Sequence, residues 1–172
     1  MSYNPETYWP QRFRDQGKHY VAKGGRESAY HDELREIGKV LRGLLWRVPT
    51  ILDFGCGPGR FADILASYCD QYTGFDLVPE SAALNPHPTT NKLSGVYDIG
   101  VAIEVFQHIP DDETIKNAGR HAKAWLVVDH LPLEAPNAHM RPRTHEEVGA
   151  LLGMAPLAFH RPVLGHWVAV YQ

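Results

Sequence analysis

Apolar residues recur along the chain in two spacings, one typical of helices and one typical of strands. Between residues 27 and 46 they fall every three or four positions, which predicts an amphipathic helix. Short apolar runs at 50–54 and 97–103 predict strands instead. The same reasoning gives further strands at 72–75 and 124–128, and helices at 10–16, 61–68, 79–84, 110–123 and 144–152.

The order of these elements predicts the fold class. Strands and helices alternate, which favours an α/β, doubly wound, mostly parallel sheet with helices on both faces and right-handed crossovers. Residues 156–161 and 166–171 are expected to close the sheet as a C-terminal antiparallel hairpin. Three prolines interrupt the region 77–96, so its strand, the third of the sheet, is expected to be shortened or absent.

Composition narrows the class of protein. A chain of 172 residues fits one domain, expected at 1–172, with residues 1–26 as an N-terminal arm. A net charge of -3 gives no general attraction to nucleic acid or to an anionic membrane. No apolar run approaches the roughly 20 residues of a membrane span. No signal peptide is evident at the N-terminus, and two cysteines are too few for a disulfide framework. We expect a cytoplasmic monomer or homodimer.

A glycine-rich turn follows the strand at 50–54. Its glycines stand at 55, 57 and 59, directly after Asp53 and Phe54. Glycine lets the backbone turn tightly and approach a ligand, and the next helix offers free N–H groups. A dinucleotide fingerprint would read G-x-G-x-x-G, whereas this turn reads G-x-G-x-G, which disfavours a nicotinamide enzyme. The alternative is a tight turn that binds nothing.

Segment 51–60 resembles the first motif of the class I S-adenosylmethionine-dependent methyltransferases, an acid and an apolar residue before G-x-G-x-G. Residues 72–76 are similar to the family's second strand, whose terminal acid, here Asp76, takes both ribose hydroxyls. The likeness extends over nearly the whole chain, with further matches to the arm, the fourth and fifth strands and the late helix at 8–21, 97–109, 125–129 and 140–153. It implies a seven-stranded-type sheet, S-adenosylmethionine as cofactor and S-adenosylhomocysteine as product.

The resemblance also implies which residues bind the cofactor. This chain lacks the family's adenine acid, since neither Asp nor Glu occurs between Glu80 and Asp98. Leu77, Val78 and the backbone of 92–94 would hold adenine instead. The expected cofactor-binding residues are Asp53, Gly55, Cys56, Gly57, Gly59, Arg60, Asp76, Leu77, Val78, Glu104 and, on the arm, Tyr20.

Four polar side chains at strand ends are the catalytic candidates. Glu104 and His108 follow the fourth strand, and Asp129 and His130 end the fifth, so all four are expected near the methyl group. A histidine has the right pKa for a base near neutrality, although either histidine could be a packing or loop residue. Segment 104–108 also resembles ubiquinone-type O-methyltransferases, in which two acids and the histidine can hold a divalent cation. Gln107 replaces the second acid, and because an amide is a weaker ligand we expect no metal.

The sequence therefore predicts methyl transfer from S-adenosylmethionine to an oxygen or nitrogen of a small molecule. Two alternatives stay open. One is a regulatory module that binds the cofactor without turnover, and the other is methylation of RNA or protein. The net charge argues against nucleic acid as a partner, and no membrane association is expected.

Overall fold

A computed structural model describes residues 4–16, 27–131, 140–160 and 165–172. The helices α1 to α6 are Pro5–Gln16, Glu27–Leu44, Ala62–Ala66, Pro79–Ala82, Asp112–Gly119 and His145–Leu152. The strands β1 to β7 are Val48–Phe54, Cys69–Phe75, Thr89–Thr90, Ile99–Ile103, Trp125–His130, Pro156–His160 and His166–Tyr171. None of the described helices is both long and apolar enough to cross a lipid bilayer.

All seven strands form one sheet in the order β3-β2-β1-β4-β5-β7-β6. Strands β1 to β5 run parallel, and β7 is antiparallel to both β5 and β6. This confirms the mostly parallel sheet with its C-terminal hairpin. The third strand is two residues long, as expected for a shortened region. It still pairs with β2, and the carbonyl of Pro88 accepts the N–H of Gly74 at 2.9 Å.

The sheet is buried on both faces. Successive residues of its central strands point to opposite sides, and both sides are apolar. Ile51 belongs to one apolar core and its neighbour Leu52 to the other. Helices α2 and α3 cover the first face and α5 and α6 cover the second. Their buried contributions include Ile37, Leu41, Ala62 and Leu65 on one side and Ile115, Ala118, Val148 and Leu152 on the other.

Several boundaries differ from those expected. Helix α1 begins at Pro5 rather than near Pro10, because the Asn4 carbonyl accepts the N–H groups of Thr7 and Tyr8 and so starts the helix earlier. Helix α2 ends two residues before Trp46. Pro49 lies inside β1 instead of before it. Its missing N–H is tolerated because pairing with β4 begins only at Ile51.

Helices α5 and α6 begin with side-chain caps. The Asp111 carboxylate accepts the Thr114 N–H at 2.8 Å, so α5 starts after Asp111 and is shorter than expected. Thr144 and Glu147 form a reciprocal capping box at the start of α6. Each cap fixes where its helix starts relative to the sheet.

The packing of Gly100 in β4 against Trp125 in β5 yields a stability test. A Cβ at position 100 would lie 2.6 Å from the Trp125 ring, inside its contact distance. We expect Gly100→Ala to lower the free energy of unfolding by about 1–3 kcal/mol through overpacking. Urea denaturation measures the change.

Gly43→Ala is the matched control. Gly43 lies in α2, and no described atom would come within 4 Å of the added methyl group. Alanine should raise the free energy of unfolding there by about 0.5–1 kcal/mol, because glycine is the poorer helix former. Equal effects of the two substitutions would contradict the packing described for Gly100.

Candidate active site

The glycine turn connects β1 to α3 at the carboxyl edge of the sheet. Gly55, Gly57 and Gly59 have φ angles of 76°, 50° and 84°, in the left-handed region that favours glycine. A Cβ at Gly55 would also lie 2.5 Å from the side chain of Val105. The turn therefore requires glycine both for its conformation and for its close approach to the segment after β4.

Asp76 follows β2 and joins that strand to the glycine turn. Its Oδ2 accepts the N–H of Gly57 at 2.8 Å, and its Oδ1 accepts the N–H of Val78 at 2.8 Å. Burial raises the pKa of Asp76, while the two backbone hydrogen bonds oppose that effect. Val78 is buried and Leu77 beside it is 52% exposed. The carboxylate is thus held in one orientation, next to an open apolar side chain.

Asp53 lies beneath the turn in a buried network. Its Oδ2 accepts the Tyr72 hydroxyl at 2.7 Å, and that hydroxyl accepts the Asn85 side-chain amide at 3.0 Å. Burial raises the pKa of Asp53 to about 7, against the hydrogen bond from Tyr72 and with a contribution from the charge of Asp76. The contacts of Asp53 order the loop from inside.

Cys56 and Arg60 complete the predicted residues of the turn. The sulfur of Cys56 is buried against β2, where a Cβ at Gly74 would lie 2.8 Å from it. Burial raises the pKa of the Cys56 thiol, which keeps it protonated. Arg60 is half-buried where the turn leads into α3.

Glu104 directly follows β4 and has an unusual backbone conformation. Its φ is 57°, and it is the one non-glycine residue with a positive φ in the described ranges. Its Oε1 lies 3.1 Å from His166 Nε2 and 3.4 Å from His130 Nε2. Burial would raise the pKa of Glu104, but the hydrogen bonds and charges of the two histidines hold it well below its usual range. The carboxylate is therefore ionised.

Gln107 connects several residues of the same region through hydrogen bonds. It is buried in a short 3₁₀ turn, Phe106–His108, and its backbone N–H donates to Asp129 Oδ2 at 2.9 Å. Its side-chain oxygen accepts the backbone N–H of His130 at 3.3 Å, and its Nε2 lies 3.4 Å from His108 Nε2. The amide thus links both predicted histidines.

The four predicted catalytic side chains do not all converge. Glu104 and His130 are in contact, and Gln107 connects His130 to His108. Asp129 is 1% exposed and its carboxylate holds the backbone of Gln107, so it lies under the group instead of beside it. Burial raises the pKa of Asp129 to about 8, opposed by the hydrogen bond from Gln107.

Helix α1 lies against this region. The rings of Trp9 and His108 meet edge to face, with centroids 4.9 Å apart and planes at 78°. The helix also contacts α4. The described part of the arm therefore packs beside the strand ends. Tyr20, the arm residue expected to bind cofactor, lies outside the described residues.

Sequence reasoning missed His166 and the structural role of Arg143, whose position suggested either a site for an acidic substrate group or a solvated basic loop. His166 pairs directly with His130 across β5 and β7, so the register of the hairpin was the signal that could have found it. Arg143 is buried and donates to the carbonyls of Phe106 and Ile109 at 2.8 and 2.9 Å. It therefore fixes the segment after β4 from the α6 side.

A family model described as a methyltransferase domain matches residues 22–148. The chain therefore belongs to this methyltransferase-domain family. It is 26% identical to a ubiquinone biosynthesis O-methyltransferase of Pectobacterium atrosepticum, over 45% of this chain and 46% of that relative. The match thus spans a little under half the length of the relative.

Solved structures share the fold over almost all of the chain. The DhpI-SAM-HEP complex superposes with a TM-score of 0.73 at 16% identity, covering 99% of this chain and 100% of that one. Magnesium protoporphyrin IX methyltransferase of Synechocystis, solved with bound SAM, gives 0.68 at 14% identity, covering 99% and 96%. The N-methyltransferase NodS of Bradyrhizobium japonicum, solved with S-adenosylhomocysteine, gives 0.69 at 14%, covering 98% of each chain.

The raised pKa of Asp53 predicts a pH-dependent penalty on folding. Its pKa is about 7 in the folded chain against an ordinary 3.8. The folded state therefore binds more protons between those values, and the free energy of unfolding falls as the pH rises through this window. Asp53→Asn lacks the titration but keeps an oxygen acceptor for Tyr72. The variant should gain stability relative to the parent chain from pH 4 to pH 8, by a few kcal/mol at most, since one pKa unit corresponds to about 1.4 kcal/mol.

Urea denaturation across this pH range measures the difference. Asp70→Asn on the neighbouring strand β2 is the control, because Asp70 is exposed and pairs with Arg47 at the protein surface. Its difference from the parent chain should change little with pH. A flat difference for Asp53→Asn as well would contradict the buried, protonatable carboxyl group.

Proposed function

We propose that this chain transfers the methyl group of S-adenosylmethionine to an oxygen or nitrogen of a small-molecule acceptor. The observation that carries the proposal is the arrangement at the carboxyl edge of the sheet. The glycine turn after β1 and the oriented Asp76 after β2 lie beside Glu104 after β4 and His130 at the end of β5. Ligands of open parallel sheets bind outside this edge.

Asp76 is the proposed ribose ligand. Backbone hydrogen bonds from Gly57 and Val78 fix its carboxylate, so it can accept two ribose hydroxyls without further reorganisation. Leu77 offers an exposed apolar surface beside it for the adenine ring, where the chain has no acid. The remaining proposed cofactor contacts are Gly55, Cys56, Gly59, Arg60, Glu104 and Tyr20, with Asp53 supporting the turn from below.

The reaction needs positioning above all. Bound S-adenosylmethionine supplies a methyl group on a positively charged sulfur. The acceptor lone pair forms the new bond to that methyl carbon as the carbon–sulfur bond breaks and its electrons stay on sulfur. The chain would hold the acceptor in line between helix α1 and the ends of β4 and β5.

His108 is the proposed proton acceptor. Trp9 packs on its ring and Gln107 lies 3.4 Å from its Nε2, so the imidazole has a fixed orientation. A proton leaving an acceptor hydroxyl or ammonium group would pass to Nε2 of this ring, which would give up its long contact with the Gln107 amide. Glu104 and His130 would orient the acceptor. Asp129 would act as a positioning residue through Gln107.

Relatives support a small-molecule acceptor. One is named for ubiquinone biosynthesis and another is a magnesium protoporphyrin IX methyltransferase, whereas NodS is an N-methyltransferase. Oxygen and nitrogen acceptors therefore both occur among proteins similar to this chain. The structures solved with SAM or S-adenosylhomocysteine support the same cofactor here.

Asp76→Ala tests the cofactor site. Loss of a charged hydrogen-bond acceptor should weaken S-adenosylhomocysteine binding by about 1.5–3 kcal/mol, which is roughly 10- to 150-fold in the dissociation constant. Isothermal titration calorimetry measures it. Asp70→Ala, an exposed acid at the other end of β2, should bind like the parent chain. Unchanged binding by Asp76→Ala would refute the ribose assignment.

Transfer of a tritiated methyl group to a panel of small phenols, carboxylic acids and amines tests turnover. On any accepted substrate, His108→Asn should lower kcat by about 10²–10⁴-fold, the usual contribution of a general base, while S-adenosylhomocysteine affinity is retained. His121→Asn is the control, because His121 lies before the start of β5, at the edge of the sheet opposite the site. Cofactor binding without transfer across the panel would favour a regulatory module. Transfer to RNA alone, lost as salt is added, would favour a nucleic-acid substrate.

A further inference from the structure

Three potential metal ligands meet beside the proposed acceptor position. They are Glu104, His130 and His166, and their ligand atoms all lie within 4.8 Å of one another. The carboxylate Oε1 is 3.1 Å from one imidazole nitrogen and 3.4 Å from the other. Ligands bound about 2.1 Å from one ion lie roughly 3.0–3.4 Å apart in octahedral or tetrahedral geometry. The two measured separations fall in that interval.

The sheet itself brings the two imidazoles together. His130 is the last residue of β5 and His166 the first of β7, and they are direct cross-strand partners in the antiparallel register. Directly opposed residues point to the same face. The ring centroids are accordingly 4.1 Å apart. The pairing therefore orders both rings before any ligand binds.

The backbone of Glu104 is an independent indication. A glutamate at a φ of 57° is strained, and such strain persists where the surroundings impose it, often at functional sites. The carboxylate of this residue lies against the two histidines. The strained residue is thus the one that completes the group of three.

We propose that Glu104, His130 and His166 bind one divalent transition-metal ion, such as Zn²⁺, Fe²⁺ or Mn²⁺. Two imidazoles with one carboxylate suit these ions, whereas Mg²⁺ and Ca²⁺ prefer oxygen ligands. Three protein ligands leave coordination positions for water or substrate. His166 closes the inner side of the site, since its side chain is 2% exposed, while that of His130 is 30% exposed.

These ligands differ from the possible cation ligands in segment 104–108 that the sequence suggested. That expectation of no metal rested on Gln107 standing where a second acid would be needed. Gln107 instead lies behind the ligands, where its side-chain oxygen accepts the backbone N–H of His130. The third ligand is His166, which comes from the C-terminal hairpin.

The role of the ion in methyl transfer rests on the proposed function, whereas the binding of the ion does not. The ligands lie at the ends of β4, β5 and β7, next to the region assigned to the acceptor. An acceptor oxygen in an open coordination position would be oriented and polarised, because a bound cation stabilises the deprotonated oxygen. His108 would remain available as the proton acceptor.

Direct binding of Zn²⁺ and Co²⁺ to the full chain tests the site. Calorimetry with Zn²⁺ should give one ion per chain, and Co²⁺ should give visible absorption bands typical of nitrogen and oxygen ligands in a low-symmetry site. Glu104→Gln, His130→Asn and His166→Asn should each weaken Zn²⁺ binding by at least about tenfold. His121→Asn, which lies outside the group and contacts the Gly95 carbonyl, should leave it unchanged.

A second measurement guards against misfolding of the variants. His166 is buried, so His166→Asn could fail to fold, whereas His130 is partly exposed. Zn²⁺ should therefore also raise the unfolding temperature of the parent chain, reversibly on chelation, and do so much less for His130→Asn.

The site is refuted if the parent chain takes up no stoichiometric Zn²⁺, or if the ligand variants bind it as the parent does. The three side chains would then form only an ion pair between Glu104 and its histidines. S-adenosylhomocysteine binding, measured on the same proteins, separates the two proposals. Zn²⁺ binding without cofactor binding would refute the methyltransferase proposal alone, and the reverse result would refute the metal site alone.

Discussion

Burial of the sheet on both faces is the constraint on which the site depends. Neighbouring residues such as Ile51 and Leu52 belong to opposite cores, so a slip of one residue in β1 would exchange them. With that register fixed, the parallel strands all end at one edge. Residues at or next to their ends, among them Asp53 and His130, thereby come within reach of the glycine turn and the segment after β4.

Some residues of the site would face a ligand, and other, buried residues keep the surrounding loops in place. Asp53 and Asp129 are buried carboxyl groups, each beneath a loop that it orders through a single strong contact, to Tyr72 and to the backbone of Gln107. Asp76 and Glu104 lie nearer the surface and carry the proposed binding roles. Burial raises the pKa of both inner acids, so they can order their loops without a permanent charge in the core.

The sequence predicted those parts of the site that depend on local pattern. The glycine turn and Asp76 are read from adjacent residues, and strand order then places Glu104 beside them. The burial of Asp129 was harder to predict. Successive residues in a strand point to opposite faces, so Asp129 and His130 lie on opposite sides of β5. His166 required the register between β5 and β7, which depends on contacts between strands that are distant along the chain. Tyr20 stays a prediction.

The backbone of Glu104 sets a conformational cost against the contacts of its side chain at a single position. Glycine would adopt its φ of 57° without strain, yet it would delete the carboxylate that contacts His130 and His166 and the stabilisation that those contacts give. At position 104 the strain of the backbone is therefore opposed by the two imidazoles, and the conformation of this residue depends on a hairpin more than sixty residues further along the chain.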